Sequence, residues 1–174
     1  MRGCTSKGGK VGSTGKVVKV IVAVSYSKGA IVCHQYDKLD GAYFAKFVQV
    51  NFENMFRLAN KNGSQLFVQD NCPVQNSVLA RRALHDKIAR QLKLPPRSGD
   101  IHCIENFFHA VKVELDKQAL ELNITHKPFE EFSDRVIRTI IIKNMPVDVV
   151  DKIIESMDNQ ISLVIIYKGQ RTRQ

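Results

Sequence analysis

Asp70 and Glu105 are the residues of this chain whose types and spacing point to chemistry. Asp70 ends the apolar run Gln65-Leu66-Phe67-Val68-Gln69, and Glu105 opens a segment of helical periodicity, with thirty-four residues between the two acids. A carboxylate at a strand end and another at a helix start can hold divalent metal ions for cutting and joining phosphodiester bonds, since hard cations select carboxylate oxygens. Such a site draws a third carboxylate from an earlier strand. The first acid here is Asp37, so residues 1–36 contain none. Each acid also has an ordinary role available: a turn or helix cap for Asp70, and for Glu105 a first helical turn whose dipole favours negative charge.

The elements that must position these acids follow from the hydrophobic pattern. Residues 1–16 are Gly, Ser, Lys and Thr with almost nothing to bury, and read as a flexible basic leader. Val17-Val18-Lys19-Val20-Ile21-Val22-Ala23-Val24 is β-branched and nearly continuous, as in a strand buried on both faces. Ser27-Lys28-Gly29 turns the chain into a second strand, Ala30 to Tyr36, giving a hairpin. Asp40 caps a helix in which Phe44, Val48, Phe52, Met55, Phe56 and Ala59 keep a 3.6-residue period, closed by Asn62-Gly63. Leu66-Phe67-Val68 is a short strand leading to Asp70. After Pro73 the spacing of Ala80, Leu84, Ile88 and Leu92 predicts a helix.

Residues 94–100 form a Pro-restricted loop. Three further helices are marked by Ile104, Phe107, Phe108, Val111 and Leu115; by Phe129, Phe132, Val136 and Ile140 after Pro128; and by Val150, Ile154, Met157, Ile161 and Ile165 after Pro146. Phe107, Phe108 and the aromatics between 44 and 56 belong to the core in this reading. The chain is therefore α/β, with one domain at its length.

Several segments resemble the mariner-type transposases. Val68-Gln69-Asp70-Asn71-Cys72-Pro73-Val74-Gln75-Asn76 is similar to that family's Gln-Asp-Asn-Ala-Pro signature, which His follows closely. Leu94-Pro95-Pro96-Arg97-Ser98-Gly99-Asp100-Ile101-His102-Cys103-Ile104-Glu105-Asn106 resembles its Pro-rich lead-in to Ser-Pro-Asp-Leu-Asn-Pro-Ile-Glu-Asn. The tail from Glu155-Ser156-Met157 to Gly169-Gln170-Arg171-Thr172 resembles its closing segment, so the likeness spans residues 16–174. The resemblance implies an RNase H-like mixed sheet flanked by helices over residues 17–174, and cut-and-paste DNA transposition. It also implies Mg²⁺ or Mn²⁺ ions ~3.5–4 Å apart, held by Asp70 and Glu105 as catalytic ligands.

The departures from that pattern matter as much. The strand carrying the family's first aspartate is missing, its place taken by the leader. Asp37 and Asp40 do not replace it. In the family's sheet order they lie three strand positions from Asp70, ~14 Å at a spacing of ~4.8 Å, beyond a shared ion bound at ~2.0–2.6 Å. Gly99, His102 and Cys103 stand where the family has Pro, Asn and Pro, Gln75 stands near its His, Gln160 replaces an Arg, and no helix-turn-helix pair precedes the domain. The missing strand belongs between the hairpin and the strand ending at Asp70. Its loss leaves backbone groups unpaired, so the chain is expected either to be weakly stable or to pair the hairpin directly with residues 66–68.

Charge and cysteines complete the expectations. A formal charge of +9 favours an anionic partner, nucleic acid first. Arg81, Arg82, Lys93 and Arg97 are the candidates for non-specific contact with DNA phosphates, within a basic stretch that includes Lys87 and Arg90. Cys4, Cys33, Cys72 and Cys103 have no close spacing and read as reduced thiols. A zinc site from Cys72, His102, Cys103 and His109 lacks recognisable ligand spacing. No apolar stretch approaches the ~20 residues that span a bilayer, and no secretory signal is present, which gives a nuclear or cytoplasmic protein without a membrane. The leading expectation is a DNA-binding transposase-derived domain that has lost catalysis, alone, as a homodimer or with a related transposase chain. The alternatives are a working nuclease or transposase from a truncated gene model, and a protein-interaction scaffold using the helices from Phe129 onward.

Overall fold

A computed structural model describes residues 17–60, 65–69, 72–94, 101–124, 128–141 and 145–169. The β-branched run forms β1 (Val20–Ser25), which pairs antiparallel with β2 (Gly29–Gln35). The hairpin turn places Ser27 and Gly29 at φ 61° and 71°, and the register slips between Ala23 and Val24. Gly29 fits the left-handed conformation that a side chain would strain. The hairpin tip docks on the last helix, α5 (Val147–Ile166): the Tyr26 hydroxyl donates to Glu155 Oε1 at 2.8 Å and the Ser27 N–H to Asp151 Oδ1 at 2.7 Å.

β1 alternates its side chains between two cores, as a strand buried on both faces must. Val18 and Val20, with Val22 and Val24, join Ile104, Phe107, Phe108 and Val111 of α3 (Cys103–Glu121), Val136 and Ile140 of α4 (Phe129–Ile141), and Val150 of α5. Ile21 and Ala23 point the other way, against Phe44, Phe47, Val48, Phe52 and Phe56 of α1 (Gly41–Leu58) and Ala80, Ala83 and Leu84 of α2 (Val78–Asp86). The stripes of α3 and α4 and the aromatics of 44–56 are core, as their spacing indicates, whereas the stripe of α5 packs through Val150 and Ile154 and leaves Ile161 and Ile165 exposed.

Asp40 caps α1 by accepting from the Tyr43 N–H at 2.9 Å. The helix ends at Leu58, with Asn60 at φ 56° in the left-handed region; the Asn62-Gly63 closure lies outside the described residues. Gly41 is needed for close approach: a Cβ there would meet Ser77 Oγ at 2.5 Å, and Ser77 is the cap of α2 through the Ala80 N–H.

β3 (Leu66–Gln69) is the short strand read from the sequence, but its partner differs from expectation. The helix expected to run through Leu92 stops at Asp86, Ile88 turns the chain at φ 54°, and Arg90–Lys93 is a strand, β4, parallel to β3. Ile88 and Leu92 are 76% and 47% exposed, so the four-residue spacing marked no buried stripe beyond Leu84. The ladder to β3 decides the conformation instead, with Leu66 opposite Arg90 and Gln69 opposite Lys93.

Among the described residues the strands thus form two two-stranded sheets, β1–β2 and β3–β4. Direct pairing of the hairpin with the 66–68 strand, one of the two expectations, does not occur. A cleft of about 350 Å³ lies between them instead, bordered by β1 and β3.

Candidate functional site

β3 is buried at its C-terminal end, where Gln69 is 8% exposed, and the chain leaves the sheet there. Asp70 and Asn71 follow immediately and lie outside the described residues, as does Arg97. Glu105 sits in the first turn of α3 with its side chain exposed, where the unpaired N–H groups and the helix dipole favour a carboxylate. His102, the N-cap residue, makes no side-chain cap bond. Gln69, Gln75, His102, Cys103 and Ile104 all line the one cleft. The immediate sequence neighbours of the two acids, Gln69 and Ile104, are therefore brought to the same place by β3 and α3.

Lys93 ends β4 opposite Gln69, the last residue of β3, and its side chain is exposed. Arg81 and Arg82 are exposed on α2 and form no ion pair with a described residue, yet neither borders the cleft. Lys87 is engaged with Glu53 at 3.2 Å. Arg90 starts β4 beside Leu66, at the opposite end of the ladder.

Among the described residues no group of three His, Cys, Asp or Glu side chains could hold an ion. Burial pushes the Cys103 thiol up, keeping it in the neutral form that binds metals poorly; Cys72 is buried and His109 exposed, so the zinc set from Cys72, His102, Cys103 and His109 does not assemble. Asp40 is committed to capping α1. Asp70 is not among the described residues, and the pair of Asp70 and Glu105 lies outside this finding.

Two side chains that sequence reasoning passed over prove central to the cleft. Gln69 Nε2 and Gln75 Oε1 are buried and have no hydrogen-bond partner. Glutamine in a strand and in a turn is unremarkable by type, and only the position of Gln75 near a family histidine marked it out.

The family model described as DDE superfamily endonuclease matches residues 2–125, a span that takes in most of the segment read as a leader. Among solved structures, the crystal structure of the catalytic domain of Mos1 mariner transposase superposes with a TM-score of 0.66 at 12% identity, covering 93% of this chain and 79% of that one. Comparison with curated proteins gives no match. At that identity the structural likeness speaks for the fold, which is the RNase H-like α/β arrangement of helices about a mixed set of strands. No helix among the described residues is long and apolar enough to cross a membrane.

Proposed function

Because this chain belongs to the DDE superfamily endonucleases, we propose that it binds DNA without cleaving it, at the edge where β3 and β4 end and α3 begins. The observation that carries this reading is the placement of Lys93 opposite Gln69, beside a cleft that Gln69 and Ile104 both line. That edge gathers a cation for phosphate and the approaches to both surviving acids. Arg81 and Arg82 on α2 add positive charge, Arg97 and the basic residues of 1–16 add more in the sequence, and residues 17–174 act as one domain.

Loss of cleavage follows from the donor set. Asp70 and Glu105 supply two carboxylates, residues 1–36 supply none, and Asp40 is engaged elsewhere. Two carboxylates hold at most a single hydrated Mg²⁺ or Mn²⁺ weakly, since these ions keep their waters unless a dense oxygen cage replaces them. DNA is the partner and the nucleus or cytoplasm the place where it is met; contact is to the backbone and independent of sequence.

The test is DNA binding as a function of salt. Each phosphate contact contributes a slope of about 0.9 in log K against log salt, so Lys93→Ala lowers the slope by about that amount on any duplex. A wild-type slope near zero would overturn the reading. It would favour instead a protein-interaction scaffold, for which the exposed Ile161, Leu163, Ile165 and Ile166 at the end of α5 offer an apolar surface.

A further inference from the structure

α5 continues past the core it helps to form. Val149, Val150, Ile153 and Ile154 make its core contacts, and the hairpin tip is fastened to Asp151 and Glu155. From Asp158 to Lys168 every residue is exposed except Gln160 and Val164. Yet this half has the composition of an interior helix: of residues 159–167, six are aliphatic or aromatic and none is charged. A helix that is apolar all round is ordinarily a covered one. Here Ile165 and Ile166 are 71% and 68% exposed.

One face of this half carries a pattern. Asp158, Ile161, Ile165 and Lys168 are spaced by three, four and three residues, the interval that sets side chains along a seam between two helices. All four are exposed, and neither Asp158 nor Lys168 forms an ion pair with a described residue. In chain order the four are acid, apolar, apolar, base. Turned end for end they keep the same spacing with the charges exchanged. Two copies laid antiparallel, with a two-fold axis at the level of Leu163, therefore set Ile161 against Ile165 and Asp158 against Lys168, each contact made twice. Parallel copies would set acid on acid and base on base.

We infer that the C-terminal half of α5 is a self-association surface, covered by the same half-helix of a second copy in an antiparallel, two-fold arrangement. Self-complementarity is what an isologous contact requires of its patch. The isoleucines in the middle supply the apolar contact, and the charges at the two ends fix orientation and register. A stripe fitted to an unrelated partner has no need to match its own reverse. The contact uses neither Lys93 nor DNA, so it stands apart from the proposed DNA binding.

Sedimentation equilibrium of the full chain without DNA, from micromolar to millimolar concentration, tests it beside Ile165→Asp, Asp158→Lys and Lys168→Glu. All three positions are exposed, and an unchanged circular dichroism spectrum checks that each variant keeps the fold. The inference expects a monomer–dimer equilibrium for the wild type, weakened roughly tenfold or more by Ile165→Asp. Asp158→Lys and Lys168→Glu each bring like charges together in their own dimers, and associate more weakly by a similar factor. Mixed in equal amounts, the two pair opposite charges at both contacts, and the dimer returns. A wild type that stays monomeric at millimolar concentration would overturn the inference and leave this face to a different partner. Dimers that Ile165→Asp does not weaken would overturn it too, as would charge variants whose mixture dimerises no better than either alone.

Discussion

Replacing Gln69 by methionine is expected to stabilise the free chain, against the usual direction of a core substitution. Gln69 is 8% exposed, and its side-chain nitrogen is buried without a hydrogen-bond partner. A buried donor left unsatisfied costs about 1–3 kcal/mol. Methionine has nearly the same length and removes the donor without opening a cavity, and volume-conserving swaps of this sort cost less than ~1.5 kcal/mol. The net gain is about 1–2 kcal/mol, which for a chain of this size raises the midpoint by ~2–8 °C. Urea unfolding followed by circular dichroism measures it, with an unchanged m-value showing that the unfolded reference is the same. Thr139→Val is the contrast: Thr139 is wholly buried, but its hydroxyl donates to Gln118 Oε1 at 3.4 Å, so its loss costs about 0.5–1.5 kcal/mol. A destabilisation above ~0.5 kcal/mol by Gln69→Met, outside the range of neutral surface changes, would refute the claim that this amide lacks a partner.

Other perturbations follow from single contacts. Asp40→Ala removes the side chain that accepts from the Tyr43 N–H and is expected to cost about 1 kcal/mol by urea unfolding, whereas Asp40→Asn keeps an acceptor and most of the stability. Burial pushes the Cys33 thiol up to about 11, so the fold favours its neutral form. Because that value lies above the unfolded one, the contribution is complete below pH 9 and is lost as pH rises towards 11. Stability measured by unfolding across that window should fall more steeply for wild type than for Cys33→Ala, and parallel curves would contradict it. Phe107→Ala, at a side chain with no exposure in the α3 core, is expected to cost about 3–5 kcal/mol.

The parts of the fold written locally were legible, and those decided at a distance were not. The stripe of Ile104, Phe107, Phe108 and Val111 gave α3 because every member is buried on one face. The alternation of Val20, Val22 and Val24 against Ile21 and Ala23 likewise gave a strand with two covered faces. β4 escaped because Arg90, Gln91, Leu92 and Lys93 include one aliphatic residue, itself half exposed; a parallel ladder to β3 makes them a strand, and no local pattern records a ladder. At the candidate site the acids stood out by type, and register placed Lys93 opposite Gln69, the residue before Asp70 in sequence. The cleft and its two unpartnered glutamines arise only when β1 and β3 face each other across a gap.

The proposed function has this DDE-type domain engaging DNA without cutting it. Incubation of the full chain with supercoiled plasmid in Mg²⁺ and in Mn²⁺, beside Asp70→Ala and Glu105→Ala, tests it most directly. The account predicts retained binding and no nicked or linear product for any of the three proteins. Metal-dependent nicking by the wild type that both substitutions abolish would contradict it.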